Sequence, residues 1–368
     1  MRVNAAVLEE FGKPLVVQEL ELEGPRSGEV LVRLHACGVC HTDMYTASGA
    51  DPSGYAPCVL GHEGAGVVEA IGEGVTSVVV GDKVVTCFNP QCGECVNCRS
   101  GKTNICVAIR AQQGQGVLPD GTTRFARGEE GIRHFMGCSA FAEATVVPEI
   151  ALAKVDREAP LEHASLFACG LTTGLGAAMY AAEVEAGSTA VVFGAGMVGL
   201  GAVAGCRIQR AERIVCVDLS EDRLAMARQH GATDTIVAHD GVVEEILEMT
   251  GGYGADCTFE ATGLTGVMRQ AVESARLGWG LATIAGVAGK GEELSVIPRW
   301  LMQGRVVQGA SFGKVRSREQ VPGLVELGMR GEIDVEAFVS HRMPLADVNR
   351  GFDLMHAADG VRTVLQLA

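Results

Sequence analysis

The chain has 368 residues, of which 47% are hydrophobic and 20% are charged, and its formal net charge is −15. This composition indicates a globular protein, and the length suggests two domains. The negative charge argues against nucleic acid or an anionic membrane as a partner, because both would repel such a surface. The chain starts with "MRVNAAVLEEFGKP" and lacks the apolar region of a signal peptide, so its thirteen cysteines are expected to stay reduced, in the cytoplasm.

The first part of the chain, to about residue 160, predicts a compact β-rich domain. Short β-prone runs such as "EVLVRL", "GAGVVEAIG" and "GDKVVTCF" are separated by turn residues. In the same part, "CGVCHTD" (37–43) places two cysteines, a histidine and an aspartate within seven positions. Reduced cysteines favour free thiols or metal ligands over a disulfide there. The C-x-x-C spacing of Cys37 and Cys40 also allows a redox pair.

Four further cysteines lie close together in "CGECVNCRSGKTNIC". They are separated by two, two and seven residues, and they are Cys92, Cys95, Cys98 and Cys106. Four thiolates at such spacing can surround Zn²⁺ tetrahedrally and leave no position open for chemistry. An iron–sulfur cluster also takes four cysteines. Structural zinc is favoured, because nothing else in the sequence indicates electron transfer.

From about residue 171 the pattern changes to apolar runs that alternate with helical stretches. The runs are "TAVVFGAG", "RIVCVD", "DCTFEATG", "LATIAGV" and "VVQGASF", and a helical pattern such as "SEDRLAMARQHGA" lies between them. This alternation predicts an α/β domain with a doubly wound parallel sheet. After about residue 311, a helical segment, "REQVPGLVELGMRG", and two short runs, "FVSHRMPL" and "VRTVLQLA", close the chain.

A dinucleotide-binding motif follows the first of these runs. Gly194, Gly196 and Gly199 have G-x-G-x-x-G spacing at the start of a predicted helix, where they allow a tight turn, close approach of a pyrophosphate and close packing of the helix. The next predicted strand ends at Asp218, whose carboxylate would bind the adenosine ribose and repel a 2′-phosphate. NAD is therefore preferred, and Arg223 leaves NADP as the alternative.

These motifs together resemble those of the zinc-dependent medium-chain alcohol dehydrogenases over essentially the whole chain. The class III subgroup, the glutathione-dependent formaldehyde dehydrogenases, is the most similar, through "CGVCHTDMYTASGADP", "GHEGAGVV", "PQCGEC", "GVLPDGTTRF" and "GFDLMH". The resemblance implies a GroES-like catalytic domain at residues 1–170, completed by 312–368, and a Rossmann NAD-binding domain at residues 171–311. It places the active site in the cleft.

The resemblance also implies a second zinc ion, the catalytic one. Its ligands would be Cys40, His62 and Cys169. Three protein ligands leave the fourth zinc position open for water or substrate. Asp43 would hydrogen-bond to His62 and orient its ring, and Glu63 would lie close behind the metal. Cys37 would have no ligand role.

The implied reaction is reversible hydride transfer between an alcohol carbon and NAD, with zinc as Lewis acid. In the family, the alcohol proton leaves through the hydroxyl at Thr42 and the nicotinamide ribose, with His41 nearby. Tyr45 stands where some members have a relay histidine, and a phenol with a pKa of about 10 is a poor base at neutral pH. Thr173 would pack against the nicotinamide, and His41 and Arg362 would contact the pyrophosphate. A surface or helix-capping role is the alternative for Arg362.

The class III resemblance extends only partly to the substrate residues. Arg110 stands where that subgroup binds a carboxylate of the glutathione adduct, and Asp51 where it faces the ammonium group. A solvated surface role is the alternative for Arg110. Ser53 replaces the usual glutamate and Leu277 replaces the usual lysine. We therefore expect activity both on an S-hydroxymethyl thiol adduct and on longer or aromatic primary alcohols.

Two other functions are compatible with the same motifs. One is an aryl, terpene or other long-chain primary alcohol dehydrogenase that does not use thiol adducts. The other is a non-catalytic, zinc-stabilised NAD-binding protein. The family's dimeric members carry a long segment after the structural zinc lobe, which "AQQGQGVLPDGTTRFARGEEG" matches, so a homodimer that acts on a small-molecule alcohol or aldehyde is predicted.

Overall fold

The computed structural model describes residues 1–51 and 54–367. The chain divides into two compact units, Met1–Cys169 with Arg316–Ala368, and Gly170–Val315. The first unit is mainly β-structure and the second alternates strands with helices, so the predicted α/β fold class is confirmed.

Eighteen strands are present in the described residues. They are β1 (Arg2–Leu8), β2 (Val16–Leu22), β3 (Glu29–Gly38), β4 (Cys58–Val59), β5 (Glu63–Ile71), β6 (Lys83–Thr86), β7 (Phe125–Arg127), β8 (Glu130–His134), β9 (Ala144–Pro148), β10 (Leu152–Lys154), β11 (Thr189–Phe193), β12 (Arg213–Asp218), β13 (Asp234–Val237), β14 (Cys257–Glu260), β15 (Leu281–Ile284), β16 (Val306–Gly309), β17 (Val339–Pro344) and β18 (Arg362–Gln366).

Twelve α-helices lie between these strands in the same residues. They are α1 (His41–Ala47), α2 (Val96–Ser100), α3 (Arg110–Gln113), α4 (Leu161–Ser165), α5 (Gly170–Gly176), α6 (Met197–Ile208), α7 (Glu221–His230), α8 (Val242–Met249), α9 (Thr265–Ser274), α10 (Pro298–Met302), α11 (Ser317–Met329) and α12 (Val348–His356). Short 3₁₀ turns occur at Glu149–Ala151, Leu166–Ala168, Ser311–Lys314, Glu336–Phe338 and Leu345–Asp347, and Ala177–Ala181 is π-helical.

The first unit contains a closed barrel and a larger sheet. The barrel has the order β1-β2-β7-β8-β4, and the larger sheet has the order β10-β6-β5-β3-β18-β17, with β9 paired to β3. The antiparallel pair β3 and β5 is central to this sheet and sets Gly38 opposite Glu63. Because β3 ends at Gly38 and β5 begins at Glu63, the residues that follow one strand lie beside those that precede the other.

The second unit is a six-stranded parallel sheet in the order β13-β12-β11-β14-β15-β16. The strand "TAVVF" is almost continuously buried, as expected when helices cover both faces of a parallel sheet. The strand order reverses between β11 and β14, and such a point marks the crevice where dinucleotides bind. The sequence analysis did not identify β13, whose four residues "DTIV" include only two apolar ones.

Over the described residues, no single helix is both long enough and apolar enough to cross a membrane. One bent pair of helices, Leu161–Ala168 with Gly170–Ala181, is together long enough and apolar enough for a membrane span, by length and composition only. The apolar helix α6 has only twelve residues.

Candidate functional site

The larger sheet of the first unit brings distant residues into one cluster. Cys40 immediately precedes α1, His62 and Glu63 lie at the start of β5, and Cys169 is the last residue before α5. One potential ligand atom from each of these four residues lies within 4.8 Å of the others. Cys40 and His62 meet because they lie just beyond the paired ends of β3 and β5.

The Asp43 carboxylate fixes the orientation of the His62 ring. Its Oδ1 accepts hydrogen bonds from His62 Nδ1 at 3.1 Å and from the Gly61 amide at 3.0 Å, while Oδ2 accepts from the Cys40 amide at 3.2 Å. His62 Nε2 is buried and has no hydrogen-bond partner among the described residues. Because Nδ1 is occupied, the free Nε2 atom fits a metal ligand whose other nitrogen is held by a carboxylate.

Burial and neighbouring charges shift the pKa values of the side chains in this cluster. Burial disfavours the charged form of His62, but the Asp43 carboxylate and the Cys40 sulfur outweigh it and hold the pKa of His62 well above its usual value. Burial raises the pKa of Asp43. The neighbouring Cys169 thiol lowers the pKa of Cys40 well below its usual value, and the same contact raises the pKa of Cys169. Of the two thiols, Cys40 is therefore the one whose ionised form, which is the form that binds a metal, is stabilised.

Glu63 and Arg362 form a buried ion pair behind the cluster. Arg362 Nη2 lies 3.2 Å from Glu63 Oε1, and Arg362 Nη1 donates to the Val39 carbonyl. Burial raises the pKa of Glu63 to about 8. Arg362 is only 5% exposed, so the surface alternative for this residue is wrong. Its contact with a pyrophosphate stays a prediction.

Gly38 provides the space that the Glu63 carboxylate occupies. A Cβ atom built on Gly38 would lie 2.0 Å from Glu63 Oε2. Any larger residue would therefore displace the carboxylate from the cluster.

The residues predicted for proton transfer lie at the first turn of α1. Thr42 is half-buried, and its Oγ1 lies 3.8 Å from Cys40 Sγ. His41 is exposed and Tyr45 is half-buried. Thr42 is therefore beside a potential metal ligand, as a hydroxyl that receives a substrate proton must be.

The second cluster is the lobe formed by Cys92, Cys95, Cys98 and Cys106. All four sulfur atoms lie within 4.8 Å of one another, with 3.9 Å between Cys92 and Cys98 and 4.0 Å between Cys95 and Cys106. Tetrahedral zinc with Zn–S bonds of about 2.3 Å needs sulfur atoms about 3.8 Å apart. These distances fit zinc.

Backbone amides support the thiolates of this lobe. Cys92 Sγ accepts from the amides of Glu94 and Cys95 at 3.3 and 3.2 Å, and Cys95 Sγ accepts from the Cys98 amide at 3.4 Å. A backbone hydrogen bond from Val107 is the largest effect that lowers the pKa of Cys95, to about 6. Backbone hydrogen bonds thus favour the ionised form of Cys95, which is the form that zinc binds, whereas burial raises the pKa of Cys98 to about 12 and also raises that of Cys106.

The thirteen cysteines all lie in the described residues, and no disulfide joins any two of them. Cys37 lies inside the sheet, where burial raises its pKa well above the usual value. Its thiol donates to the Gly38 carbonyl at 3.5 Å. Cys37 and Cys40 therefore do not form the oxidised pair that their C-x-x-C spacing allows.

The second unit contains the predicted cofactor motif. Gly194 has a φ of +96°, and a Cβ on Gly199 would lie 1.6 Å from the Gly194 carbonyl oxygen, so both positions require glycine. A Cβ on Gly196 would meet nothing within 4 Å, which leaves open space at the start of α6. This open backbone turn fits a pyrophosphate.

Asp218 lies at the carboxyl end of β12, beside this turn. Its Oδ2 accepts from the Ala195 amide at 2.7 Å and its Oδ1 accepts from the Ser220 amide at 2.9 Å. Arg223 is half-buried on α7, and Thr173 is buried on α5 in the same unit. Asp218 thus holds the glycine turn as well as standing where a ribose is expected.

The predicted substrate residues lie in the first unit. Arg110 is exposed at the start of α3. Asp51 is half-buried, and its Oδ2 accepts from Thr46 Oγ1 at 2.8 Å. Ser53 lies outside the described residues, and Leu277, in the second unit, is 49% exposed.

Three buried charged residues were not identified from the sequence. Glu29 and Arg124 form an ion pair in the first unit, with Arg124 Nε 2.8 Å from Glu29 Oε2. Glu260 ends β14 in the second unit and is fully buried. Its position after an apolar run, at the carboxyl edge of a parallel sheet, was a usable signal.

Comparisons with known proteins identify the family of the chain. Residues 26–157 match the family described as "Alcohol dehydrogenase GroES-like domain", and residues 197–329 match "Zinc-binding dehydrogenase". The chain is 49% identical over 367 residues to "S-(hydroxymethyl)glutathione dehydrogenase" of Synechocystis sp., covering 99% of this chain and 100% of that protein. The same identity holds over 368 residues with the protein of that name from Escherichia coli O1:K1, with both chains fully covered.

Two solved structures resemble the chain over its whole length. An alcohol dehydrogenase zinc-binding domain protein from Burkholderia ambifaria is 35% identical, with a TM-score of 0.94 and coverage of 100% of this chain and 99% of that chain. Benzyl alcohol dehydrogenase from Acinetobacter calcoaceticus is 30% identical, with a TM-score of 0.93 and full coverage of both chains.

The chain therefore belongs to the zinc-dependent medium-chain alcohol dehydrogenase family, and it is similar to the class III members. It is an enzyme that acts on a small-molecule substrate, and its cofactors are zinc and NAD. The non-catalytic alternative is set aside.

Proposed function

We propose that the enzyme oxidises S-(hydroxymethyl)glutathione or a similar thiol adduct, and also longer or aromatic primary alcohols, with NAD. The observation that carries the reaction class is the cluster of Cys40, His62 and Cys169, in which His62 Nε2 is free and Nδ1 is held by Asp43. The full-length identity of 49% to S-(hydroxymethyl)glutathione dehydrogenases supports the adduct as substrate.

The residues around the cluster support an ordered proton path. When bound, zinc supplies a Lewis acid for the alcohol oxygen, and NAD supplies the hydride acceptor. Thr42 Oγ1, 3.8 Å from Cys40 Sγ, would accept the hydroxyl proton of a substrate that reaches the cluster and would pass its own proton to the nicotinamide ribose of bound NAD. Phe88 and Phe135 contact the His62 ring through T-shaped packing, with centroids 5.6 and 5.9 Å away, and keep water from it.

Charge complementarity is the proposed basis for binding the adduct. A guanidinium at Arg110 can pair bidentately with a substrate carboxylate, and Asp51 can accept from an ammonium group. Arg110 is exposed and makes no ion pair within the described residues, so it is available to a ligand. Leu277 cannot make the ionic contact expected of lysine, which favours tolerance of apolar alcohols.

The test compares kcat/KM for S-(hydroxymethyl)glutathione and benzyl alcohol. Arg110→Ala should lower the value for the adduct by about tenfold or more, because a charged hydrogen bond contributes about 1.5–3 kcal/mol, and leave the alcohol unchanged. Arg350→Ala, which removes an exposed arginine from α12, is the matched control. If Arg110→Ala leaves the ratio of kcat/KM for the adduct to kcat/KM for benzyl alcohol unchanged, Arg110 does not bind the carboxylate of the adduct.

A wild-type enzyme without adduct activity would instead support the second candidate, an aryl or long-chain alcohol dehydrogenase. The similarity to benzyl alcohol dehydrogenase favours that candidate.

For the cofactor, we propose that Asp218 binds the adenosine ribose, Gly194, Gly196 and Gly199 receive the pyrophosphate, and Arg362, His41 and Thr173 complete the NAD site. Asp218→Ala should weaken NAD and relax discrimination against NADP, because the carboxylate that repels a 2′-phosphate is lost. Measurement of KM for both cofactors checks this. A wild-type preference for NADP would reject Asp218 as the discriminating residue and point to Arg223.

A homodimer is the proposed assembly. Among the described strands, the edge strand β16 pairs with β15 alone, and large apolar side chains lie exposed on or near it, including Met302 at 86%, Trp279 at 62% and Val306 at 49%. An unpaired apolar edge favours pairing with a second copy. Light scattering after size exclusion should give a dimer for wild type and for the control Val80→Lys, and a monomer for Val306→Lys.

The cytoplasm is the proposed location. All thirteen cysteines are free, and thiolate ligands need a reducing compartment to remain available to metal. Fractionation of the source cells, with the dehydrogenase activity followed in each fraction, tests this location.

A further inference from the structure

A buried carboxylate in the second unit has no place in the reaction described above. Glu260 ends β14, is 0% exposed and is ion-paired with no cation among the described residues. Its Oε1 accepts three hydrogen bonds, from the Thr262 amide and hydroxyl at 2.6 Å each and from the Gly263 amide at 2.8 Å. Its Oε2 has no hydrogen-bond partner in the described chain.

Three donors that converge on one oxygen identify Glu260 as a charged acceptor. A neutral carboxylic acid would place a proton on one of its oxygens, where it needs an acceptor, and none is recorded for Oε2. The negative charge is therefore stabilised only by dipoles. The electric field of this carboxylate extends into its surroundings, because no cation of the described residues forms an ion pair with it.

Glu260 lies at the edge of the sheet where the cofactor is expected to bind. The sheet order reverses between β11 and β14, and a dinucleotide crosses the carboxyl edge at that point. Asp218 lies on the β12 side, where the adenosine ribose is expected. Glu260, at the end of β14, lies on the other side and therefore with the nicotinamide half.

Glu260 is also built into the turns of this edge. A Cβ on Gly286, just after β15, would lie 2.6 Å from Glu260 Oε2. A Cβ on Gly194, the first glycine of the cofactor motif, would lie 2.9 Å from Thr262 Cγ2. The turn that Glu260 holds thus packs directly on the glycine turn, and glycine at 286 leaves room for the carboxylate.

We propose that the Glu260 carboxylate shifts cofactor binding toward the oxidised form. The nicotinamide ring of NAD⁺ carries a positive charge and that of NADH is neutral, so a fixed negative charge on its side of the sheet attracts only the oxidised ring. The relatively weaker NADH complex then releases the product of alcohol oxidation more readily. This inference goes beyond the proposed substrate and holds for either class of alcohol.

The test measures dissociation constants of NAD⁺ and NADH for the zinc-loaded enzyme without substrate, by fluorescence titration for NADH and competition for NAD⁺. Glu260→Gln keeps the acceptor at Oε1 and removes the charge. The ratio Kd(NAD⁺)/Kd(NADH) should rise about tenfold, because loss of the negative charge weakens binding of the positively charged oxidised ring and not of the neutral reduced ring. An unchanged ratio would overturn the proposal.

Two control variants separate charge from structure. Thr262→Val removes a hydrogen bond but keeps the carboxylate, so both constants should change by the same factor. Asp218→Asn removes an equal charge on the adenosine side and should also leave the ratio within about twofold, since the adenosine half is the same in both redox states. A ratio that moves in Thr262→Val as far as in Glu260→Gln would show a structural role only.

Glu260→Asp covers the case in which the glutamine variant does not fold. Aspartate keeps the charge, so the wild-type ratio should persist even if both affinities fall. A ratio more than threefold from wild type would contradict the proposal. Because no alcohol is present, a negative result here leaves the proposed substrate unaffected, and failure on the adduct leaves this inference unaffected.

Discussion

The four-cysteine lobe and the cluster of Cys40, His62, Glu63 and Cys169 both offer thiol ligands, but they are organised differently. In the lobe the ligands lie within fifteen positions, three of them are half-buried, and backbone amides support the sulfur atoms. In the cluster the ligands come from distant segments, and side-chain charges orient them.

This difference separates two ways of prearranging a metal site. Local turns position the lobe, so the metal's binding energy acts mainly on the fold of that segment. Strand pairing positions the cluster, so the sheet exists independently of the metal, and the charged neighbours tune the ligands instead. We expect loss of a lobe ligand to affect stability and loss of a cluster ligand to affect turnover.

The largest expected effect is on turnover. Cys169→Ser should reduce kcat about a thousandfold, because a metal Lewis acid supplies several kcal/mol of transition-state stabilisation, and should leave the far-UV circular dichroism and melting temperature near wild type. Steady-state kinetics and thermal melts check both parts. Cys37→Ser is the control, since that thiol lies outside the cluster, and it should retain two zinc ions per chain. A large decrease in the melting temperature of Cys169→Ser would contradict the expectation that the cluster affects turnover and the lobe affects stability.

The second expected effect is on stability. Cys98→Ser should lower the melting temperature by about 5 °C or more, since zinc that is bound only by the folded lobe contributes directly to folding free energy. Differential scanning calorimetry with metal analysis measures it, and one zinc should be lost per chain. Treating wild type with a chelator until only the lobe metal is removed should reproduce the lower value. Iron in the purified protein would refute the zinc assignment.

The smallest effect concerns the orientation of His62. Asp43→Asn replaces one acceptor oxygen by an NH₂ group, so either the Cys40 amide or the His62 ring loses its partner. Zinc affinity at the cluster should fall about 10–100-fold, as for other carboxylates that orient a metal-binding histidine. Competition with a chromophoric chelator measures this, and the lobe should be unaffected. Equal weakening at both sites would indicate a general loss of structure.

The same contrast explains what could be predicted from the sequence. The lobe was visible because its spacing is local, and the parallel sheet was visible because "TAVVF" and "RIVCVD" are long apolar runs that end in recognisable turns. Cys169 lies more than a hundred positions from Cys40 and His62, and only family resemblance joined the three residues. Cys40 and His62 are close because β3 pairs with β5, which spacing does not encode.

Other features depended on tertiary burial and had no local signal. The strand β13 has only two apolar residues and is recognisable mainly by its pairing with β12. Arg362 is enclosed because β18 pairs with β3, while a lone arginine in a sequence usually indicates an exposed side chain. Glu260 differs from these two features, because its position at the end of an apolar run was a local signal, and only its burial depends on the turns that enclose it.

The hydrogen bonds of Asp218 have a consequence for the evolution of cofactor preference. The carboxylate that is proposed to select NAD also holds the glycine turn, through the Ala195 amide at 2.7 Å. A lineage that exchanged this residue to accept a phosphorylated cofactor would at the same time loosen the turn that carries the pyrophosphate. Cofactor preference and the rigidity of the glycine turn therefore cannot evolve independently. A change of preference from NAD to a phosphorylated cofactor requires a compensating substitution elsewhere in the turn.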